Sequence, residues 1–284
     1  MDTYYSLVAL RYEMKLPNAN LVFDDGISHV MAVINLSPES RIKASVVASP
    51  FDALDRARRY RDLGASIIDL GAQSSHFENR EISPEEEIAR MAPALELLVA
   101  DGFVVSIDTW KPDVATVAIE LGASIVNDTG GLADPRMVAL LTGRDLAGVV
   151  MHIEGTNPLQ VGDRKLSDQT PGVIADALSA TTLRLAGQGV QQVFVDPGLS
   201  INYRSDYEGY GRLQLATIRS LESLRCAGAP VLIPVPRKAE THRMLAYLTL
   251  SIENGADVLR VHDVEAACDL VPYLGRTLGV ASAR

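Results

Sequence analysis

Eight short apolar stretches alternate with eight helical ones along this chain, and few architectures accommodate that rhythm. The strand candidates are residues 29–34, 66–70, 103–107, 124–127, 146–151, 192–196, 230–235 and 257–262. Each is rich in Val and Ile, as strands buried on both faces are. The helical stretches are 51–63, 84–100, 111–121, 135–142, 172–188, 211–227, 238–254 and 264–275. Ser83 before Pro84 and three glutamates, and Asp134 before Pro135, are helix starts. Gly64, Gly122 and Gly255 each close a helix just ahead of a strand. The arithmetic predicts an α/β fold, a (β/α)8 TIM barrel, in one domain over 29–284. Residues 1–28 form a short N-terminal extension, expected as a hairpin or lid under the barrel. A doubly wound open sheet is the runner-up. It would carry a Gly-rich turn after its first strand, which is absent.

Polar residues recur where these strands end: Asp69, Asp108, Asn127-Asp128, His152, Asp196, Arg237-Lys238, and Arg260 with His262. In a barrel, that end is the catalytic face. Asp108, Asn127 and Asp196 come from three different strands, and two carboxylates with an amide suit a flat heterocycle rich in N–H and C=O groups. Arg237, Lys238, Arg260 and His262 follow the seventh and eighth strands, where barrels often hold phosphate. Asn35 ends the first strand, beside the eighth in a closed barrel. One side of the mouth therefore suits an anion and the other a polar ring.

Each residue also has a plainer reading. Asp108 ahead of Trp110-Lys111-Pro112 could cap a helix. Asn127-Asp128 and Asp196-Pro197-Gly198 read as turns. Met151 and His152 read as core, and Lys238 as a solvated residue of a first helical turn. The repetition at one strand position outweighs any single member.

The net charge of -10 argues against a nucleic-acid surface. No apolar run approaches the roughly 20 residues of a membrane span. The N-terminal residues lack the pattern of a signal peptide, and Cys226 and Cys268 read as reduced thiols, so a cytoplasmic protein is expected.

The ordered set of segments resembles the pterin-binding family, on its dihydropteroate synthase branch, from about residue 29 to 275. Asn35-Leu36-Ser37-Pro38-Glu39-Ser40 is similar to the family's Asn-x-Thr-Pro-Asp-Ser. Asp69-Leu70-Gly71-Ala72-Gln73-Ser74-Ser75 is similar to its Asp-Ile-Gly-Gly-Glu-Ser-Thr. Ser106-Ile107-Asp108-Thr109, Val126-Asn127-Asp128, Asp196-Pro197-Gly198, Pro236-Arg237-Lys238 and Arg260-Val261-His262-Asp263-Val264 match further signatures. The resemblance implies a homodimeric barrel that condenses a hydroxymethyl-dihydropterin pyrophosphate with p-aminobenzoate and releases pyrophosphate. It implies that Asp108, Asn127, Met151, Asp196 and Lys238 hold the pterin, with Asp108, Asp196 and Lys238 catalytic. Asn35, His76, Arg260 and His262 would hold the pyrophosphate, with Asn35 also reaching Mg2+. The second substrate would lie by Ser75, Phe77, Ile201 and Pro236. Other family members transfer methyl groups to a corrinoid protein, and a non-catalytic pterin-binding role is the third reading.

Departures from the family cluster around the second substrate. Its Phe-Ser-Asp-Gly-Gly stretch is here Arg41-Ile42-Lys43-Ala44-Ser45, and its Ser-Thr-Arg-Pro-Gly is Ser74-Ser75-His76-Phe77-Glu78. Gln73 replaces a Glu, Leu199 to Tyr203 replace Ile-Gly-Phe-Gly-Lys, and Pro236 replaces a Ser. The pterin pocket is expected to be retained and the second-substrate region rebuilt, with Arg41 and Lys43 replacing the missing anion grip.

Overall fold

The computed structural model describes residues 12–23, 27–161, 168–201, 207–236 and 241–274. An antiparallel hairpin comes first, β1 (Tyr12–Leu16) and β2 (Ala19–Phe23). Eight parallel strands then build one sheet: β3 (His29–Asn35), β4 (Ile67–Gly71), β5 (Val105–Asp108), β6 (Ile125–Asp128), β7 (Ala147–Met151), β8 (Gln192–Asp196), β9 (Leu232–Pro234) and β10 (Val258–Val261). Their order is β8-β7-β6-β5-β4-β3-β10-β9. The ring closes between β8 and β9 through a single bridge, Val195 with Val231. The sparse seam has a local cause: Pro230, Pro234 and Pro236 have no N–H to donate across it.

Helices α1 (Pro50–Leu63), α2 (Pro84–Ala100), α3 (Pro112–Glu120), α4 (Pro135–Leu141) and α5 (Pro171–Gly187) surround the sheet, with α6 (Tyr207–Arg219), α7 (Leu221–Leu224), α8 (Thr241–Glu253) and α9 (Val264–Leu274). All of α1 to α5 start on a proline, which needs no partner for an N–H there. Ser49, Ser83, Asp134 and Thr170 cap four of them through side-chain oxygens. The single helix expected over 211–227 is instead α6, α7 and a 3-10 turn at Arg225–Ala227. The break falls at Ser220, whose carbonyl accepts both Ser223 N and Ser223 Oγ. Serine bonds of this kind compete with helix continuation.

Strand parity divides the molecule into two cores. Met31, Ile67, Val104, Ile125, Ala147, Val149, Phe194, Leu232 and Val258 form one cluster with Met14, Leu16, Leu21 and Phe23 of the hairpin. That cluster fills the bottom of the barrel, and Phe23 meets Phe194 edge-on at 5.5 Å. The hairpin is tied there by Gln192, which bonds both Lys15 N and Lys15 O, and by Asn18, which bonds Phe103 O and Ser124 Oγ. Alternate residues such as Ile68, Leu70, Ile107, Val126, Val150 and Leu259 face the helices in the larger cluster. Moving two residues up from the apolar bottom layer along the inward row reaches Asp69, Ser106, Asn127, Asp196 and Arg260. The polar row therefore shares the parity of the core beneath it.

Among the described residues no helix is long and apolar enough to cross a membrane. Cys226 and Cys268 are free thiols.

Candidate active site at the barrel mouth

Arg260 is the centre of the mouth. Its Nε donates to Asp69 Oδ2 at 2.7 Å and its Nη2 to Asp108 Oδ2 at 2.5 Å. Asp108 is thus not a helix cap: the N-cap position of α3 is Lys111, which makes no side-chain cap, and the Asp108 carboxylate pairs with Arg260 instead. Burial pushes Asp108 up to about 7, with the Asp69 charge adding to the rise and Arg260 opposing it. Burial depresses Arg260, but the charges of Asp69 and Asp108 outweigh it and hold the guanidinium firmly protonated. Asn127 pairs in register with Asp108 and reaches Asp69 with its Nδ2 at 3.3 Å.

Asp196 faces the same space from β8. Its Oδ1 accepts Gly198 N at 2.7 Å, so it serves its own turn. Burial nevertheless lifts it to about 7, against the pull of Gly198 N and Arg260. Gly198 has φ +73, and a Cβ there would come within 2.2 Å of His152 O. Gly198→Ala is expected to lower stability by about 2 kcal/mol or more through that backbone clash. Thermal unfolding checks it; an unchanged Tm would show that the β8 turn shifts freely. Asp128 holds the plainer role. Its oxygens accept Gly130 N and Leu132 N at 2.7 and 2.9 Å and shape the turn after β6.

The anion side is joined by Ser45. Its Oγ accepts Asn35 Nδ2 at 2.7 Å, lies 3.1 Å from His262 Nδ1, and donates to Ile42 O at 3.0 Å. Because the hydroxyl proton goes to Ile42 O, His262 Nδ1 carries the donated proton. A cleft of about 370 Å3 adjoins this side, lined by residues that include Ala44, Tyr60, Val235, Met244 and His262.

The loop after β4 is organised by its departures from the family pattern. Gln73 Nε2 donates to Ser74 O and Arg80 O, while its Oε1 accepts Ile82 N at 2.8 Å. A carboxylate could not make the first two bonds. Lys111 is buried below, donating to Glu87 Oε2 at 2.7 Å and Ile82 O at 2.6 Å. His76 is buried, and its Nδ1 accepts Glu78 N at 3.2 Å. Burial lowers its pKa, and Arg41 lowers it further. Phe77 lies against the His76 ring at 4.5 Å. Arg41 pairs with Glu78 and Lys43 donates to Pro38 O at 2.7 Å, both at exposed positions of the loop after β3. Arg90 adds a second tie between the loops, reaching Glu39 at 3.0 Å and Ala72 O at 3.1 Å.

Ser75 and Phe77 therefore stand on the β4 loop, half-buried, and Pro236 is buried past the end of β9. Ile201 packs with Met151, Val161 and Tyr210. Arg237 and Lys238 lie outside the described residues, as do Asn202 and Tyr203. Ser45 and Gln73 organise the mouth without having been assigned a task. Gln73 was visible only as a family departure, and Ser45 looked like one end of a loop.

Residues 31–262 match the family described as pterin binding enzyme. The chain belongs to that family. Within the pterin-binding enzymes it is 31% identical over 251 residues to dihydropteroate synthase of Bacillus subtilis, covering 83% of this chain and 84% of that one. Dihydropteroate synthase from Thermus thermophilus, solved in complex with 4-aminobenzoate, superimposes with a TM-score of 0.77 at 31% identity, covering 93% of this chain and 98% of that one. The same enzyme in complex with 6HMPPP gives a TM-score of 0.75 at 31% identity with the same coverage.

Proposed function

We propose that this pterin-binding enzyme is a dihydropteroate synthase, condensing 6-hydroxymethyl-7,8-dihydropterin pyrophosphate with p-aminobenzoate. The observation that carries the reading is one mouth with a carboxylate–amide wall and an Arg–His–Asn anion side, joined through Arg260. The relatives' names and the two ligands of the Thermus complexes support it.

In this reading Asp108, Asn127 and Asp196 hydrogen-bond the pterin, Met151 packs beside it, and Lys238 completes the pocket. Asn35, Arg260 and His262 take the pyrophosphate, with His76 near its path. The arylamine sits by Ser75, Phe77, Ile201 and Pro236. The amine nitrogen bonds to the exocyclic methylene, the methylene C–O bond breaks, and pyrophosphate leaves with the electron pair. The nitrogen then gives up one proton. Positive charge grows on the methylene as the bond breaks, so ionised Asp108 and Asp196 stabilise it, while Arg260 stabilises the departing anion. Orientation of the amine supplies much of the remaining rate.

Magnesium belongs to the same reading. Among the described residues no cluster of three or more His, Cys, Asp or Glu could hold a metal. A substrate diphosphate needs less, since Mg2+ takes most of its oxygens from phosphate and water. Asn35 fits as the protein ligand: its Nδ2 is spent on Ser45, leaving Oδ1. That oxygen would be 3.3 Å from a Cβ at Gly71 and Asp108 Oδ2 3.8 Å, so Asn35 Oδ1 and Asp108 face the same small space above Gly71. The ion would neutralise charge on the leaving group. A homodimer in the cytoplasm completes the reading, and light scattering tests the dimer.

The decisive assay is pyrophosphate release from the pterin pyrophosphate, with and without p-aminobenzoate. Release that requires p-aminobenzoate and yields dihydropteroate is expected. Release without that product would mean another nucleophile, and no release would overturn the proposal.

A further inference from the structure

The most deeply buried charge in the mouth belongs to a residue with no substrate assigned to it. Asp69 has no exposed surface. It sits in β4 two residues below Gly71 and receives donors from three other strands. Ser106 Oγ of β5 donates to Oδ1 at 2.7 Å, and Arg260 Nε of β10 to Oδ2 at 2.7 Å. Asn127 Nδ2 of β6 lies 3.3 and 3.4 Å from the two oxygens. Burying a carboxylate is unfavourable unless it is filled this completely.

Neutralising Arg260 does not by itself explain Asp69, because Asp108 already pairs with the same guanidinium. What Asp69 adds is orientation. With Nε on Asp69 and Nη2 on Asp108, two edges of the guanidinium are fixed and its plane cannot turn. An ionised carboxylate only accepts, so Asn127 must present Nδ2 to Asp69 and direct Oδ1 elsewhere. One buried group thereby sets an arginine on the anion side and an amide on the ring side.

We propose that Asp69 is a positioning residue that holds Arg260 and Asn127 in one geometry, so that the pterin and pyrophosphate halves of the substrate are bound at a fixed separation. This inference rests on the transferase reading and adds to it a residue that touches neither half.

The test compares wild type with Asp69→Asn and Asp257→Asn. Asp257 is a matched buried carboxylate remote from the mouth, accepting Arg225 Nη2 at 3.1 Å and Val231 N at 2.7 Å. Affinities for inorganic pyrophosphate and for 6-hydroxymethylpterin are measured separately by calorimetry, then the pH profile of kcat/KM. Asp69→Asn keeps the shape but loses the charge, and its amide no longer dictates how Asn127 faces. Both ligands are expected to bind about 10-fold or more weakly, and kcat to fall by about 10²-fold, through misplacement alone. The acid limb should move to lower pH, because a negative charge beside Asp108 is gone. Asp257→Asn should lower Tm and move none of these. If Asp69→Asn does not fold, Ser106→Ala, which drops one bond and keeps the charge, should weaken both ligands by a smaller factor. Unchanged affinities, or loss of only one ligand, would overturn the proposal. Wild type that binds both probes without turnover would remove the transferase reading and leave this comparison decisive.

Discussion

Replacing Asp108 with Asn should lower kcat/KM by about 10²- to 10³-fold, the size of effect seen when one preorganised charge-stabilising group is removed. The fold should survive. Arg260 keeps Asp69 as a charged partner, and the Asn carbonyl can still accept from Nη2. The loss falls on the transition state, where the methylene becomes positive beside a group that no longer carries charge. Asp108 and Asp196 are both pushed up to about 7, chiefly by burial. Wild-type kcat/KM should therefore climb as pH rises through 7, steeply, because two carboxylates must ionise. In the variant one of these titrations is gone, and the limb should become shallower. Steady-state kinetics from about pH 5.5 to 9 bracket both titrations and measure both effects. A rate within about threefold of wild type, with the steep limb intact, would remove Asp108 from the chemistry.

Asp196→Asn should cost activity and add stability, and the stability gain should depend on pH. A carboxyl whose folded pKa is raised to about 7 stays protonated in the folded state while the unfolded chain, near 3.9, has ionised. Its contribution is most favourable below the unfolded pKa and is lost as pH rises through the folded one. Lifting this carboxyl from its ordinary range to about 7 sets an upper bound of about 4 kcal/mol for what ionising it costs the ligand-free protein. Asparagine removes that cost and can still accept Gly198 N. At pH 8 the variant should melt a few degrees above wild type, about 2 °C or more per kcal/mol recovered. The gap should shrink as pH falls from about 7 toward 4. Melting curves across that range, paired with the pyrophosphate-release assay, check both halves. A variant less stable than wild type at pH 8 would show that the charged form is well solvated by its surroundings.

Much of this architecture was legible before folding because its signals are local. A buried strand declares itself by a short Val- and Ile-rich run, as at Val258 to Val261. A helix start declares itself within four residues, as Ser83 and Pro84 do. Even the polar row was visible, since Asp108, Asn127, Asp196 and Arg260 stand at or near the ends of apolar runs. Less was legible where a residue's role depends on a distant partner. The pairing of Arg41 with Glu78, across two loops, is one such case. The bond from Glu78 N to the His76 ring nitrogen, within one loop, is another. Gln73 looked like a lost charge and proved to be the amide that holds the loop after β4.

The sequence by itself determined the eightfold alternation of strand and helix, where helices start, and that polar residues stand where apolar strands end. Those properties follow from short apolar runs, caps and glycine stops, whose range is a few residues. Only the tertiary structure decided which charges meet. Arg260 lies 191 residues from Asp69 and 152 from Asp108, and barrel closure puts both carboxylates on one guanidinium. Closure likewise set the hairpin against Phe194 and carried Ser45 to His262. Electrostatic and hydrogen-bond energies depend on separations of a few ångströms, and those separations exist only once strand tilt and register have brought the ends of eight strands together.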